Sequence, residues 1–287
     1  ILTTVDPTAT LSGPDEYISG SETTIRGRTA AGIDTVLMYV ESDSAFELVD
    51  LDGESNGNYS GISVSGGDFT HETTLSIGDA SGNQLLSLPG EYQVAIRSKS
   101  SVRSDQSIPQ RLSKSAMLSE ATSLHTIHVR NQTVTVTAPG IGGTVADTKD
   151  TIQVSGTVNG SDNALLIAIG ERGEVESKIV NGKTFDNVTL QSGSFSNGAL
   201  TLYAITTGRD NRIGDGQIPT ATSRSTSAKS GLNSLQSHIE SVSEQRAYTG
   251  GQIRTVLRSE TDLDTASDDP VVKRTARVVP AAITIGR

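Results

Sequence analysis

With 287 residues and no cysteine, the chain is long enough for two domains of about 140 residues, while disulfides, thiolate metal sites and cysteine nucleophiles are excluded together. Carboxylates outnumber basic side chains 33 to 23, giving a formal net charge of -10, so the basic face that nucleic-acid binding requires is missing. Apolar residues make up 34% and aromatics 3%, with no tryptophan, a profile of many short strands and frequent turns.

The first residues, ILTTVDPTAT, lack the basic and apolar regions of a signal peptide, and no apolar run approaches the roughly 20 residues of a membrane span. The chain ends on the strand-like ITIGR. The expectation is a segment of a longer polypeptide.

An internal repeat sets the architecture. Residues 25–40, IRGRTAAGIDTVLMYV, lie over residues 154–169, VSGTVNGSDNALLIAI, without a gap. The superposition pairs Ile25 with Val154, Gly27 with Gly156, Val36 with Leu165, Met38 with Ile167 and Val40 with Ile169, a period of two that reads as strands with one buried face. FTHETTL (69–75) and FDNVTL (185–190) repeat in the same order, as do GEYQVAIRS (90–98) and GALTLYAITT (198–207), each with about a one-residue adjustment. The fold expected is mainly β: two tandem immunoglobulin-like β-sandwich domains of about seven strands each, spanning 1–130 and 131–287. They meet in LHTIHVRNQTVTVTAPG, where strand runs almost directly into strand and predicts a stiff, end-to-end pair.

In the first unit, DLDGESNGNYSG (50–61) places Asp50, Asp52 and Glu54 at alternating positions. That opening is like an EF-hand loop, but the glycine at the sixth position and the glutamate at the twelfth are missing. A hairpin loop and a calcium site both fit. His125 and His128 are three apart in a strand and point to opposite faces, His71 stands alone, and His238 belongs on the polar side of a helix. No serine sits in a nucleophile elbow, since GISVSG (61–66) is one residue too long, and no phosphate loop or zinc-protease signature occurs. The chain reads as a non-enzyme.

The second unit adds a helical insertion at about 227–260. Leu232, Leu235, Ile239 and Val242 share one helical face, as do Ile253, Val256 and Leu257, with Tyr248-Thr249-Gly250-Gly251 breaking the run. Pro270 then precedes a return to strand. Just before the helices stands GRDNRIGDG (208–216), with Asp210 and Asp215 set among Gly208, Gly214 and Gly216. Either Asp210 caps a turn with Arg209 and Arg212 neutralising the charge, or the two aspartates join backbone carbonyls as hard oxygen ligands for calcium. A phosphate cradle is disfavoured, because the aspartates repel an anion.

Four N-x-S/T sequons, at Asn58, Asn131, Asn159 and Asn187, are candidate acceptors for N-linked glycans. Asn58 and Asn159 fall in loops, Asn131 at the domain junction and Asn187 within a strand.

The succession VSGTVNGSDNALLIAIGERGEV, a strand ending in GRDNRIGDG, and a helical pair closing with SETDLDTASDDPVV resembles the S-layer (major cell-surface) glycoprotein family of halophilic archaea. Unit one is similar to the preceding domain of that family through DTVLMYV and LLSLPGEYQVAI, so the resemblance covers essentially the whole chain. It implies a secreted, extracellular, glycosylated structural protein at the cell surface, supported by calcium, whose copies self-assemble into a lattice and meet a membrane only through segments outside this chain. The chain is only moderately acidic for that family. The other reading is a surface adhesin or carbohydrate-binding β-sandwich module, which calls for exposed aromatics on one face.

Overall fold

In the computed structural model, described here for residues 9–51, 59, 61–75, 80–99, 107–119, 123–138, 144–147, 151–209, 212–214, 227–262 and 269–280, the chain is mainly β. It divides into two compact units, Ile1–Asn131 and Gln132–Arg287.

The first unit runs β1 (Ala9–Gly13), β2 (Glu16–Ile18), β3 (Thr23–Thr29), β4 (Thr35–Glu41), β5 (Ala45–Leu48), β6 (Ile62–Ser63), β7 (Asp68–Thr73), α1 (Ser81–Leu86), β8 (Gly90–Ser98), β9 (Arg111–Ser113), α2 (Lys114–Leu118) and β10 (Leu124–Arg130). A three-stranded sheet, β1-β3-β7, faces a larger one ordered β2-β10-β8-β4-β5-β9, in which β6 also pairs with β4. Leu11, Ile25 and Phe69 of the small sheet pack with Met38, Val40, Ile96, Ile127 and Val129 of the large one. Burial of these side chains contributes about 1.5–3 kcal/mol each and fixes strand register, because a slip of one residue would turn every apolar side chain outward. The far face of the large sheet is also covered: Leu37, Tyr39, Phe46 and Leu48 form a second cluster with Met117 of α2 and Tyr59.

The second unit runs β11 (Thr133–Thr137), β12 (Thr144–Asp147), β13 (Thr151–Asn159), β14 (Asn163–Gly170), β15 (Val175–Asn181), β16 (Thr184–Gln191), β17 (Gly198–Ile205), α3 (Ala228–Glu244), α4 (Gly250–Asp262) and β18 (Val271–Pro280). Its sheets are β11-β13-β16 and β12-β18-β17-β14-β15. The latter follows the same path as β2-β10-β8-β4-β5 in the first unit, down to the parallel pairing of the outermost strand, β2 with β10 and β12 with β18. The sequence repeat is therefore a repeat of topology.

The registers correct the ungapped superposition. Gly90 lies opposite Val129 and Gly198 opposite Val278, so β8 and β17 correspond without adjustment. Met38 then faces Ile96 and Leu166 faces Ala204, which matches Met38 with Leu166 and not with Ile167. Val36, Met38 and Val40 point into the core between the sheets, whereas Leu165, Ile167 and Ile169 point to the opposite face, toward the helices. The expectation of one buried face holds for β3 and β13, where burial alternates, and fails for β4 and β14. β4 and β14 are buried on both faces, so their apolar residues run on continuously and carry no alternation from which to read register.

Helices α3 and α4 cover the face of the larger sheet that Leu165, Ile167, Ile169 and Ile205 present. Leu232, Leu235, Ile239 and Val242 of α3, with Ile253 and Leu257 of α4, supply the other half of that cluster. Ser227 and Ser230 form a capping box at the start of α3. Thr249 and Gln252 form another at α4: the Thr249 N–H donates to Oε1 of Gln252 at 2.8 Å, and the Gln252 N–H donates to Oγ1 of Thr249 at 3.4 Å. The turn after β14 is tied to the helices, as Ser243 Oγ donates to the Gly173 carbonyl at 2.6 Å and Gly250 N–H to the Glu171 carbonyl at 3.0 Å.

Candidate functional site

The end of β17 and the start of β18 meet at one carboxylate. Asp269 Oδ1 accepts the N–H of Gly208 at 2.9 Å, and Oδ2 accepts the N–H of Gly214 at 2.7 Å. One aspartate thus links the first and second glycines of GRDNRIGDG, and charge makes each bond stronger than a neutral one. Gly214 has a φ of 55°, in the region glycine enters without steric cost, and Ile213 is buried against the helix-facing cluster. The turn is thereby pinned by Asp269, a residue that sequence reasoning did not single out; the signal available was its place beside Pro270, immediately before a strand. Asp210 and Asp215 lie outside the described residues.

Asp50 is 1% exposed, at the end of the segment that follows β5. The Asn83 side chain of α1 bridges its backbone, with Asp50 N–H donating to Oδ1 at 2.8 Å and Nδ2 donating to the Asp50 carbonyl at 3.2 Å. Asp52, Glu54 and Asn58 lie outside the described residues. Among the described residues no group of three or more His, Asp or Glu side chains is placed to hold a metal ion. Asp269, with both oxygens engaged by amides, is suited to closing a turn.

Three sequon asparagines, Asn131, Asn159 and Asn187, are exposed. Asn187 stands in the left-handed region at φ 50°, at an irregularity where β16 pairs with β13. Its N–H donates to Ser155 Oγ at 3.0 Å, and Ser155 Oγ donates to Asp186 Oδ1 at 2.6 Å. Asn159 ends β13 just before Gly160, whose φ is 92°.

The histidines are dispersed. His71 Nε2 lies 3.1 Å from the Leu51 carbonyl, and His125 Nε2 lies 3.1 Å from the Pro14 carbonyl and from Asp15 Oδ1. His128 is exposed. His238 departs from the polar-face expectation: its side chain is 13% exposed, and Nε2 lies 3.9 Å from Oε1 of the buried Glu260 on α4. Burial holds this imidazole below its ordinary value. The periodicity of α3 alone did not reveal that a second helix covers this flank.

Beside α4 a cleft of about 420 Å³ opens against β17 and β18, lined by Arg254, Arg258, Lys273, Tyr203 and Val271 among others. Burial raises the Tyr203 phenol above its ordinary range, and the nearby Arg254 charge opposes that rise. Among the described residues no helix is long and apolar enough to cross a membrane.

No family model matches the chain. It is 32% identical over 283 residues to the cell surface glycoprotein of Halobacterium salinarum strain R1, an alignment covering 96% of this chain and 31% of that protein. The chain is homologous to the haloarchaeal cell surface glycoproteins. The cell surface glycoprotein of Haloarcula japonica is 29% identical, covering 94% of this chain and 30% of its own length, and that of Haloarcula marismortui is 28% identical, covering 98% and 31%. The chain therefore spans about a third of the length of the curated relatives it matches. Fibronectin(III)-like modules of Clostridium thermocellum CbhA align over 69% of the chain and 84% of their own, at 15% identity and a TM-score of 0.20, too low to support any argument.

Proposed function

We propose that this chain is a structural segment of an archaeal cell-surface (S-layer) lattice, built from two immunoglobulin-like sandwiches and self-assembling with its own copies outside the cell. The observation that carries this reading is homology over nearly the whole chain to proteins named cell surface glycoprotein. The two filled β-units support it, because a large sheet covered on both faces in each unit holds a fixed spacing between points of contact.

Copies with ten more carboxylates than bases repel one another, and divalent cations between them, calcium above all, lower that repulsion. This cation support rests on charge, and no described residue is assigned as a ligand. N-linked glycans at the exposed Asn131, Asn159 and Asn187 belong to the same reading.

The test is imaging of the full-length protein with and without chelator at constant salt. Ordered arrays that disperse on chelation while the units stay folded are expected. Arrays that persist would remove the cation from the reading. A protein that never orders at any salt would remove the lattice and favour the adhesin, although Tyr248 is the one exposed aromatic among the described residues.

A further inference from the structure

The cleft between α4 and the strand pair β17–β18 is basic in an acidic chain. Arg254 and Arg258 reach it from the helix and Lys273 from β18, and no carboxylate lines it. Like charges gathered in one concavity repel, an arrangement that an incoming anion relieves. Arg254 Nη1 is buried with no hydrogen-bond partner, and neither Arg254 nor Lys273 forms an ion pair among the described residues. A guanidinium without an ion pair gains from an oxyanion that reaches its remaining N–H groups. The cleft wall is apolar where Val271, 40% exposed, and the Tyr203 ring contribute to it, which suits a carboxylate carried on a short hydrocarbon stem.

We propose that this cleft is a carboxylate socket that receives an acidic side chain from a second copy of this chain. Charge complementarity names the occupant: each copy carries 33 carboxylates against 23 bases, so a neighbouring copy offers acidic side chains in excess. A basic concavity on one copy meeting an acidic protrusion on the next pairs unlike surfaces, a contact that repeats head to tail into rings or extended arrays or occurs twice about a two-fold axis. The source of the carboxylate rests on the lattice reading; the chemistry of the socket does not.

Glutarate serves as the probe, titrated into the 287-residue chain at ionic strength held constant with sodium chloride and followed by NMR shifts. Saturable perturbation around Arg254 and Lys273 is expected, weakened about tenfold or more in the Arg254→Gln/Lys273→Gln double variant. Lys178→Gln, at an exposed position of β15, should leave it unchanged. Lys273→Gln alone, at an exposed strand position, guards against misfolding of the double variant and should show part of the loss. The absence of saturable binding, or equal binding by wild type and both cleft variants, overturns the socket. Sedimentation under the same conditions tests the source: self-association should fall with glutarate and with the double variant. Self-association indifferent to both overturns the second copy as occupant and leaves a site for free small carboxylates. If glutarate binds but the full-length protein forms no ordered array, the lattice reading fails and the socket stands.

Discussion

Phe69 lies directly over Gly27, its register partner across β3 and β7, and a Cβ at Gly27 would overlap both the ring and the carbonyl oxygen of Thr10. Phe185 stands in the same relation to Gly156, where the opposing carbonyl is that of Thr135. Gly27→Ala and Gly156→Ala should each destabilise their own unit by about 1–3 kcal/mol, read from chemical denaturation. Trimming Phe185 to Leu in the Gly156→Ala background should restore little, because the Thr135 carbonyl belongs to the backbone and cannot withdraw. Full rescue would show that the ring alone demands the glycine.

Asp269 accepts from both Gly208 and Gly214, so Asp269→Asn replaces one charged acceptor by a donor facing an amide. A loss of about 1–3 kcal/mol is expected. Hydrogen exchange should accelerate at the Gly208 and Gly214 amides while β14 and β17 keep their protection. Uniform acceleration across the unit would contradict a local role.

His238 supplies a pH dependence whose sign follows from its burial. Its folded-state value is lowered from the ordinary 6.5, so the unfolded chain takes up the proton first as pH falls. Stability of the second unit should therefore drop as pH falls from about 6.5 to the lowered folded-state value, and level off for this group below it. His238→Gln should remove that component, leaving a flatter curve of denaturation midpoint against pH. An unchanged slope in the variant would assign the dependence to other groups.

Asn187 combines a sequon with a left-handed backbone, and the two roles separate by substitution. In glycosylated native material Thr189→Ala should lower the mass at this site with little change in stability. Asn187→Gln should in addition destabilise by about 1 kcal/mol, because Gln tolerates the left-handed region less well than Asn. Asn187→Gly should lose the mass and keep the stability. Native peptide mapping that finds Asn187 bare while Asn131 and Asn159 are occupied would restrict glycan attachment to those two sites among the three described.

The amino-acid order alone carried the duplication, through Gly27 and Gly156 with their phenylalanines, and the helical spacing of Leu232, Leu235, Ile239 and Val242, the residues α3 buries. These were legible because each depends on local geometry: a glycine where a carbonyl passes too close, an apolar stripe at the period of the helix. Position along β4 and β14 was not legible. Met38 lies eleven residues after Gly27, and its counterpart Leu166 ten after Gly156. A strand buried on both faces shows no contrast by which that single-residue shift could be seen. Nor could spacing reveal that Asp269 closes a turn more than fifty residues earlier, that α4 covers His238, or that Arg254, Arg258 and Lys273 share one cleft. Those depend on which surfaces the packed helices and sheet bring together, and burial, not sequence distance, sets the charge environment of each group.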